Sequence, residues 1–198
     1  PVAHQQNRLR FSMLPYLLCA LLLAAIVSLM QLGLAPHLNL LFRHSATMVS
    51  HHVAILLSVA AGCTLLAQFL VVRPQRFSPS QLLLVAALFM VFGLGLMCTQ
   101  PLVLFYAGCA LASFGAAMAT PGYQLMLNDK LSTGKGSGVI ATSHTLGYGM
   151  SALMVPLVAK FYGESQLIAV ALMMAVLLGG ISGWLWCQHR VTAYSAGE

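Results

Sequence analysis

The sequence predicts an all-α membrane protein with six transmembrane helices, and three observations carry that prediction. The first is the scarcity of charge. Nine Lys or Arg and three Asp or Glu make the chain 6% charged, and it is 60% hydrophobic, whereas a soluble domain is about 25% charged. The second is where those charges stand. The stretches between Arg10 and Arg43, from Phe77 to Asn128, from Gly136 to Ala159 and from Ser165 to His189 hold 32, 52, 24 and 25 residues without an acidic or strongly basic side chain. A helical span needs about 20 apolar residues. The third is pattern. The apolar segments are continuous, not alternating, which argues against a β-barrel. Lipid then leaves only helices, because backbone polar groups must be satisfied within the segment.

The elements follow in order. Pro1–Arg10 is polar and reads as the end of a linker. A start without Met points to a trimmed or partial product. Span one, Phe11–Leu34, is too long for the apolar core of a signal peptide. Span two, Val53–Val72, stops at the basic loop Arg73-Pro74-Gln75-Arg76. The 52-residue neutral run is too long for one span, and Thr99-Gln100-Pro101 divides it into span three, Leu82–Cys98, and span four, Leu102–Leu125. Span five, Val139–Ala159, is rich in Gly. Span six, Leu167–Trp186, completes a bundle over residues 11–190, and Val191–Glu198 reads as a short mobile tail.

Charge gives the orientation. With both termini in the cytoplasm, the inner segments carry Arg8, Arg10, Arg73, Arg76, Lys130, Lys135 and Arg190, and the outer loops carry only Arg43 and Lys160. That is the positive-inside bias of membrane topology, so the net charge of +6 implies no nucleic acid. Tyr16, Trp184, Trp186 and the pair Phe161-Tyr162 fall near span ends, as interfacial aromatics do. Cys19, Cys63, Cys98, Cys109 and Cys187 show neither CxxC nor zinc spacing and read as small apolar fillers.

A shift of 85 residues lays Ala35-Pro36-His37-Leu38-Asn39-Leu40-Leu41 on Thr120-Pro121-Gly122-Tyr123-Gln124-Leu125-Met126, and Gly62 on Gly147. Three spans separate the copies, so the second is inverted in the membrane. The expected architecture is therefore a 3+3 inverted-repeat bundle.

At these residues the chain resembles a known family. Six spans with both ends inside, a basic loop after span two and a Gly-rich fifth span are similar to the C-terminal half, spans seven to twelve, of a major facilitator superfamily (MFS) transporter. Gly108–Gly115 followed by Ala119-Thr120-Pro121 resembles that family's tenth span. Gly138, Gly147, Gly149 and Pro156, ending in Phe161-Tyr162-Gly163, resemble the eleventh span of its drug-exporter branch. Arg73 and Arg76 occupy the place of a conserved cytoplasmic loop, without the Gly and Asp that usually precede its basic residues. The resemblance implies a secondary transporter of a bacterial inner membrane, working by alternating access, with proton-coupled efflux (antiport) of a small organic compound as the first expectation. It implies an N-terminal six-span half as partner. An MFS symporter for uptake, and a non-carrier such as a channel or structural subunit, are the alternatives.

His144 is the one ionisable side chain well inside an expected span. Such groups are costly in lipid and usually face a cavity or a partner. It either binds a coupling proton or a polar substrate, or is a neutral imidazole bonded to a neighbouring helix. Tyr148 and Ser151 follow on the same helix face. Ser28 and Gln31 form a polar pair in span one, and Thr64 and Gln68 another in span two; each either lines a cavity or bonds a neighbour. Gly138, Gly147 and Gly149 add flexibility or close packing, and Gly108, Ala112, Ala116 and Gly179, Gly180, Gly183 read as packing positions. His37, His44, His51 and His52 cluster around the first outer loop, with no carboxylate or Cys to make a metal site. Leu131–Gly138 fails as a phosphate loop, because Asp129 and Gly136 stand where Gly and Ser/Thr are needed. Gly136-Ser137-Gly138 fails as a protease motif, with Lys135 in place of Gly. No enzyme, cofactor or metal is expected; the expected partners are the lipid bilayer and a small-molecule substrate.

Overall fold

Long apolar runs with few breakers fold as long helices. The computed structural model describes residues 2–43, 45–99, 101–130 and 135–195, with side chains described for 12–43, 45–99, 101–130 and 136–191. Among them the elements are α1 (Val2–Leu41), α2 (Ala46–Ala67), α3 (Pro79–Met97), α4 (Leu102–Asn128), α5 (Lys135–Tyr162) and α6 (Leu167–Ser195). A π-helical turn, Gln68–Val72, prolongs α2, and a 3-10 turn, Glu164–Gln166, leads into α6. There is no strand among the described residues. The chain is all-α and has the helices of an integral membrane protein.

Five helical segments are long and apolar enough to cross a membrane: Ser12–Leu41, Ala46–Val72, Pro79–Met97, Leu102–Asn128 and Glu164–Val191. α5 is 28 residues long and is not among them. Ser137, Thr142, Ser143, His144, Thr145, Tyr148 and Ser151 interrupt its apolar content. Several of these turn back on their own helix: Thr142, Ser143 and Thr145 donate to the carbonyls of Gly138, Val139 and Ala141 at 2.9, 3.0 and 3.0 Å. Such bonds spend a hydroxyl proton without a neighbouring helix.

The element ends differ from the sequence reading. Residues 2–10, expected as linker, continue α1, and 191–195 continue α6 instead of fraying into a tail. Pro36 does not end α1, which runs on to Leu41. The first connection is correspondingly short, and His51 and His52 lie on α2, not in a loop. His44 and Gln100 lie outside the described residues, as do residues 131–134. α3 starts at Ser78, whose side chain accepts from Gln81 N–H at 3.4 Å while Gln81 Oε1 accepts from Ser78 N–H at 3.2 Å. With Pro79 in the first turn, this is a capping box.

α3 and α4 make the most extensive helix pair; α1 packs on α5 and α6, α3 also packs on α6, and α2 packs chiefly on α4. Ile26, Leu29, Leu34, Leu83, Met90, Phe105 and Tyr123 are fully buried in this core. In lipid, helix association depends on small residues that let backbones approach. α4 supplies Gly108, Gly115 and Gly122 at heptad spacing along its contact with α3. A Cβ on Gly115 would lie 2.7 Å from the Ala86 carbonyl oxygen, and one on Gly122 3.2 Å from Leu83. Gly108 meets the Gly93 carbonyl oxygen. Gly179, Gly180 and Gly183 of α6 do not act this way; a Cβ on any of them would meet nothing within 4 Å. The residues matched by the 85-residue shift diverge similarly. Pro36 and Pro121 both lie inside the last turns of their helices. Gly147, however, abuts the Leu21 carbonyl oxygen, and Gly62 faces open space.

Gly115→Ala is therefore expected to lower the thermal midpoint of the detergent-solubilised protein by the equivalent of about 1–3 kcal/mol, the usual range for overpacking. Gly179→Ala should leave the midpoint unchanged or slightly raised. Equal midpoints for the two variants would refute the α3–α4 seam.

Candidate functional site

α1, α2, α4 and α5 enclose a groove made of two adjoining clefts. One, of 210 Å³, is lined by Met30 and Gln31 of α1, Leu57, Ala61 and Thr64 of α2, and Ser113 of α4, among others. The second, of 200 Å³, is lined by Leu23, Ala24, Thr120, Ala117, His144 and Tyr148, among others. Val27, Thr64 and Ala116 border both.

His144 anchors the second cleft. Its Nε2 is hydrogen-bonded to the Tyr123 hydroxyl, and Tyr123 in turn donates to Thr120 Oγ1 at 3.3 Å. With the phenol proton on Thr120, the phenol oxygen is left to accept from Nε2–H, which assigns the tautomer by the network. The rings meet edge to face with centroids 6.0 Å apart. Tyr123 is wholly buried, so this bond gives a buried hydroxyl its partner. Tyr148, one turn on, is half exposed on the same face.

Of the residues singled out by sequence, Gln31, Thr64, His144 and Tyr148 come together in the groove. Ser28 and Ser151 do not line it. They hydrogen-bond each other at 2.7 Å and staple α1 to α5. Gln68 is likewise a structural residue, and the reason is local. In an α-helix the carbonyl of residue 117 accepts from the N–H of residue 121, but residue 121 is proline and has none. Gln68 Nε2 supplies the missing donor to Ala117 O from the neighbouring helix at 3.2 Å. Thr64 spends its proton on Ala60 O at 2.9 Å and presents only acceptor lone pairs to the groove. Among the glycines, Gly147 packs against α1, while Gly138 and Gly149 meet open space. Pro156 is exposed on α5. Arg73 N–H bonds the Gln68 carbonyl at 2.9 Å and ends the π-turn, and Arg73 and Arg76 are both exposed.

Two groove residues, Thr120 and Ser113, escaped sequence reasoning, as did Tyr123, which is buried behind the groove as the partner of His144. Thr120 and Tyr123 are polar positions three apart in span four, which is a detectable signal. Ser113 is 5% exposed, and its Oγ is the buried side-chain atom without a hydrogen-bond partner among the described residues.

His37 and His52, near the α1–α2 connection, have aromatic partners. His37 stacks on Phe105 with ring centroids 4.6 Å apart. His52 stacks on Phe42 at 4.5 Å, and its Nδ1 lies 2.7 Å from the Tyr106 hydroxyl. Because α1 and α2 reach further than expected, His144 is not the sole histidine on an apolar helix. Among the described residues no three His, Cys, Asp or Glu side chains gather as a metal-binding group.

Chemically, the groove offers an amide, hydroxyls, a phenol and an imidazole, and no formal charge lines it. The imidazole is the group able to change charge near neutral pH. The chain matches no protein-family model, and no curated protein matches it.

Gln68→Ala is expected to destabilise the bundle by roughly 0.6–1.7 kcal/mol, the range for interhelical hydrogen bonds in membranes. Pro121→Ala restores the N–H at residue 121, so the cost of Gln68→Ala should largely vanish in the Pro121→Ala background. Strictly additive effects in a double-mutant cycle would show that the two residues do not share the Ala117 carbonyl.

Proposed function

We propose that this chain is one six-helix half of a secondary transporter of the major facilitator type, moving a small organic compound by alternating access, with efflux driven by the proton gradient. The observation that carries the reading is the groove: Gln31, Thr64, Ser113, His144 and Tyr148, from four different helices, converge on one uncovered face of an otherwise apolar bundle. Polar side chains facing lipid are costly, whereas those facing a cavity mark a solute or ion path.

Two further features support it. Exchanging α1 with α4, α2 with α5 and α3 with α6 carries each principal helix contact onto another. The α1–α5 contact maps onto α4–α2 and α1–α6 onto α4–α3, while α1–α4 and α3–α6 map onto themselves. A 3+3 repeat would produce such an exchange, and the symmetry of contacts supports the reading. In addition, α2 and α5 carry the open glycines Gly62, Gly138 and Gly149, small positions on which a second half would pack. On this reading the open face is where the N-terminal half docks, the end bearing Arg73, Arg76, Lys130 and Arg190 is cytoplasmic, and His144 with Tyr123 carries the coupling proton.

The first check is the coding sequence upstream of Pro1, where the reading expects six further spans. The functional check uses inside-out vesicles containing the complete protein, with acridine orange reporting a respiration-driven pH gradient. Addition of a transported compound should dissipate the gradient, and an uncoupler should abolish uptake of that compound. His144→Gln should cut proton-coupled uptake at least tenfold while leaving the protein in the membrane. Uptake by the His144→Gln protein with an unaltered rate and pH profile would remove His144 from the proton path. Failure of every compound in a panel spanning cations, anions and neutral amphiphiles would remove the exporter reading.

A further inference from the structure

A second cleft lies away from the groove, where the basic ends of α1, α4 and α6 meet. It measures 670 Å³, and its walls include Tyr16 of α1, Lys130 just past α4, and Trp184, Gln188 and His189 of α6. Lys130 is held in place. Its Nζ donates to Ser12 Oγ at 2.8 Å and sits 5.0 Å from the centroid of the Tyr16 ring. An ammonium has three donors; one serves Ser12, and two remain for an acceptor in the cleft. Asp129 borders the adjoining cleft of 330 Å³ but does not border this one. Among the described residues, no carboxylate lines the cleft of Lys130. Arg190, held over the Trp186 ring at 4.3 Å, borders that adjoining cleft together with Asp129. Arg8 and Arg10 fall in the turn of α1 just before Ser12.

Beyond Trp184, which lines the cleft, α6 presents an exposed apolar strip. On α6, Leu177 and Gly180 share a helix face with Trp184. Leu177 is 60% and Trp184 51% exposed, and a side chain at Gly180 would meet nothing within 4 Å. A tethered cation above an aromatic belt, with an apolar furrow below it, has the layout of an amphiphile bearing a phosphate head and a hydrocarbon tail. We propose that this cleft is a binding site for an anionic phospholipid, with the headgroup phosphate on the Lys130 ammonium and one acyl chain along the Leu177–Trp184 face of α6. An orientation signal needs only the charge of a lysine near the membrane. It does not need that charge pinned between a serine and a tyrosine over an open cleft. The furrow favours a lipid over free phosphate, because it offers the tail a place that inorganic phosphate leaves empty. The site is independent of any transport activity.

The test uses the purified chain in nanodiscs of phosphatidylcholine doped with phosphatidylglycerol, with co-retained lipid counted by native mass spectrometry. Phosphatidylglycerol should be enriched over its bulk fraction. Lys130→Gln should reduce that enrichment about fivefold, the effect of one basic residue near an anionic surface. Lys130→Arg should restore it. Arg76→Gln, which removes the same charge from a different loop, should leave it intact. Equal retention of the two lipids, or equal loss on Lys130→Gln and Arg76→Gln, overturns the proposal. So does displacement of the lipid by millimolar inorganic phosphate, which would make the cleft a simple anion site. If Lys130→Gln lowers thermal stability to the same extent in phosphatidylcholine alone and leaves enrichment unchanged, Lys130 is only a tether between α4 and α1, and the lipid site is refuted.

Discussion

The hydrogen bond from Gln68 to the Ala117 carbonyl, 3.2 Å long, exists because Pro121 has no N–H to offer. In water such a carbonyl would be solvated. In a bilayer, every backbone polar group needs a partner from within the protein, and this constraint arranges much of the bundle. It ties α2 to α4 at the point where α2 passes into its π-helical turn. It sends the hydroxyls of Thr142, Ser143 and Thr145 back onto their own helix. It also pairs Ser28 with Ser151 between α1 and α5. Once these polar groups are matched, the few left over are conspicuous, and they gather on one face.

The bundle has two kinds of seam. The α3–α4 contact is made by absence of side chain: glycines at heptad spacing bring the backbones into contact, and the attraction is dispersion over a long interface. The α2–α4 contact carries hydrogen bonds instead, from Gln68 to the Ala117 carbonyl and between His52 and Tyr106, and α1–α5 combines the Ser28–Ser151 bond with Gly147 set against the Leu21 carbonyl oxygen. The first kind resists sliding, because any added carbon collides with a backbone atom, as Gly115 shows against Ala86.

The number of helices and most of their extents were legible in the sequence because lipid compatibility is written in charge spacing. A gap without Lys, Arg, Asp or Glu locates a span regardless of tertiary structure. Helix ends were less legible. α1 runs through Pro36 because a proline near the end of a helix leaves only one carbonyl unmatched. In the groove, His144, Gln31, Thr64 and Tyr148 could be picked out as polar residues in apolar helices. What sequence could not supply was the partner. Ser28, Ser151 and Gln68 have the same composition signal as the groove residues, and only cross-helix geometry separates a staple from a lining. The same holds for the glycines. Gly108 and Gly180 look alike in a helix-packing motif, yet one touches a backbone and the other touches nothing.

His144 stands apart from the other polar residues of α5 because its bond is to a side chain on another helix and not to its own backbone. That bond suits a neutral imidazole: Nε2–H donates to a phenol that is already committed to Thr120. Adding a proton at Nδ1 leaves this bond in place but creates a charge, and among the described residues no acid lines the cleft that His144 borders. Asp129 ends α4, Glu164 lies in the turn before α6, and Glu198 is terminal. An imidazolium in that position is sustained only by water entering the groove or by a carboxylate on whatever surface covers it. On the proposed reading, opening and covering the groove are therefore not separable from protonation. On that reading this chain would supply the proton acceptor, and the surface that covers it would supply the counter-charge that decides when the proton is held.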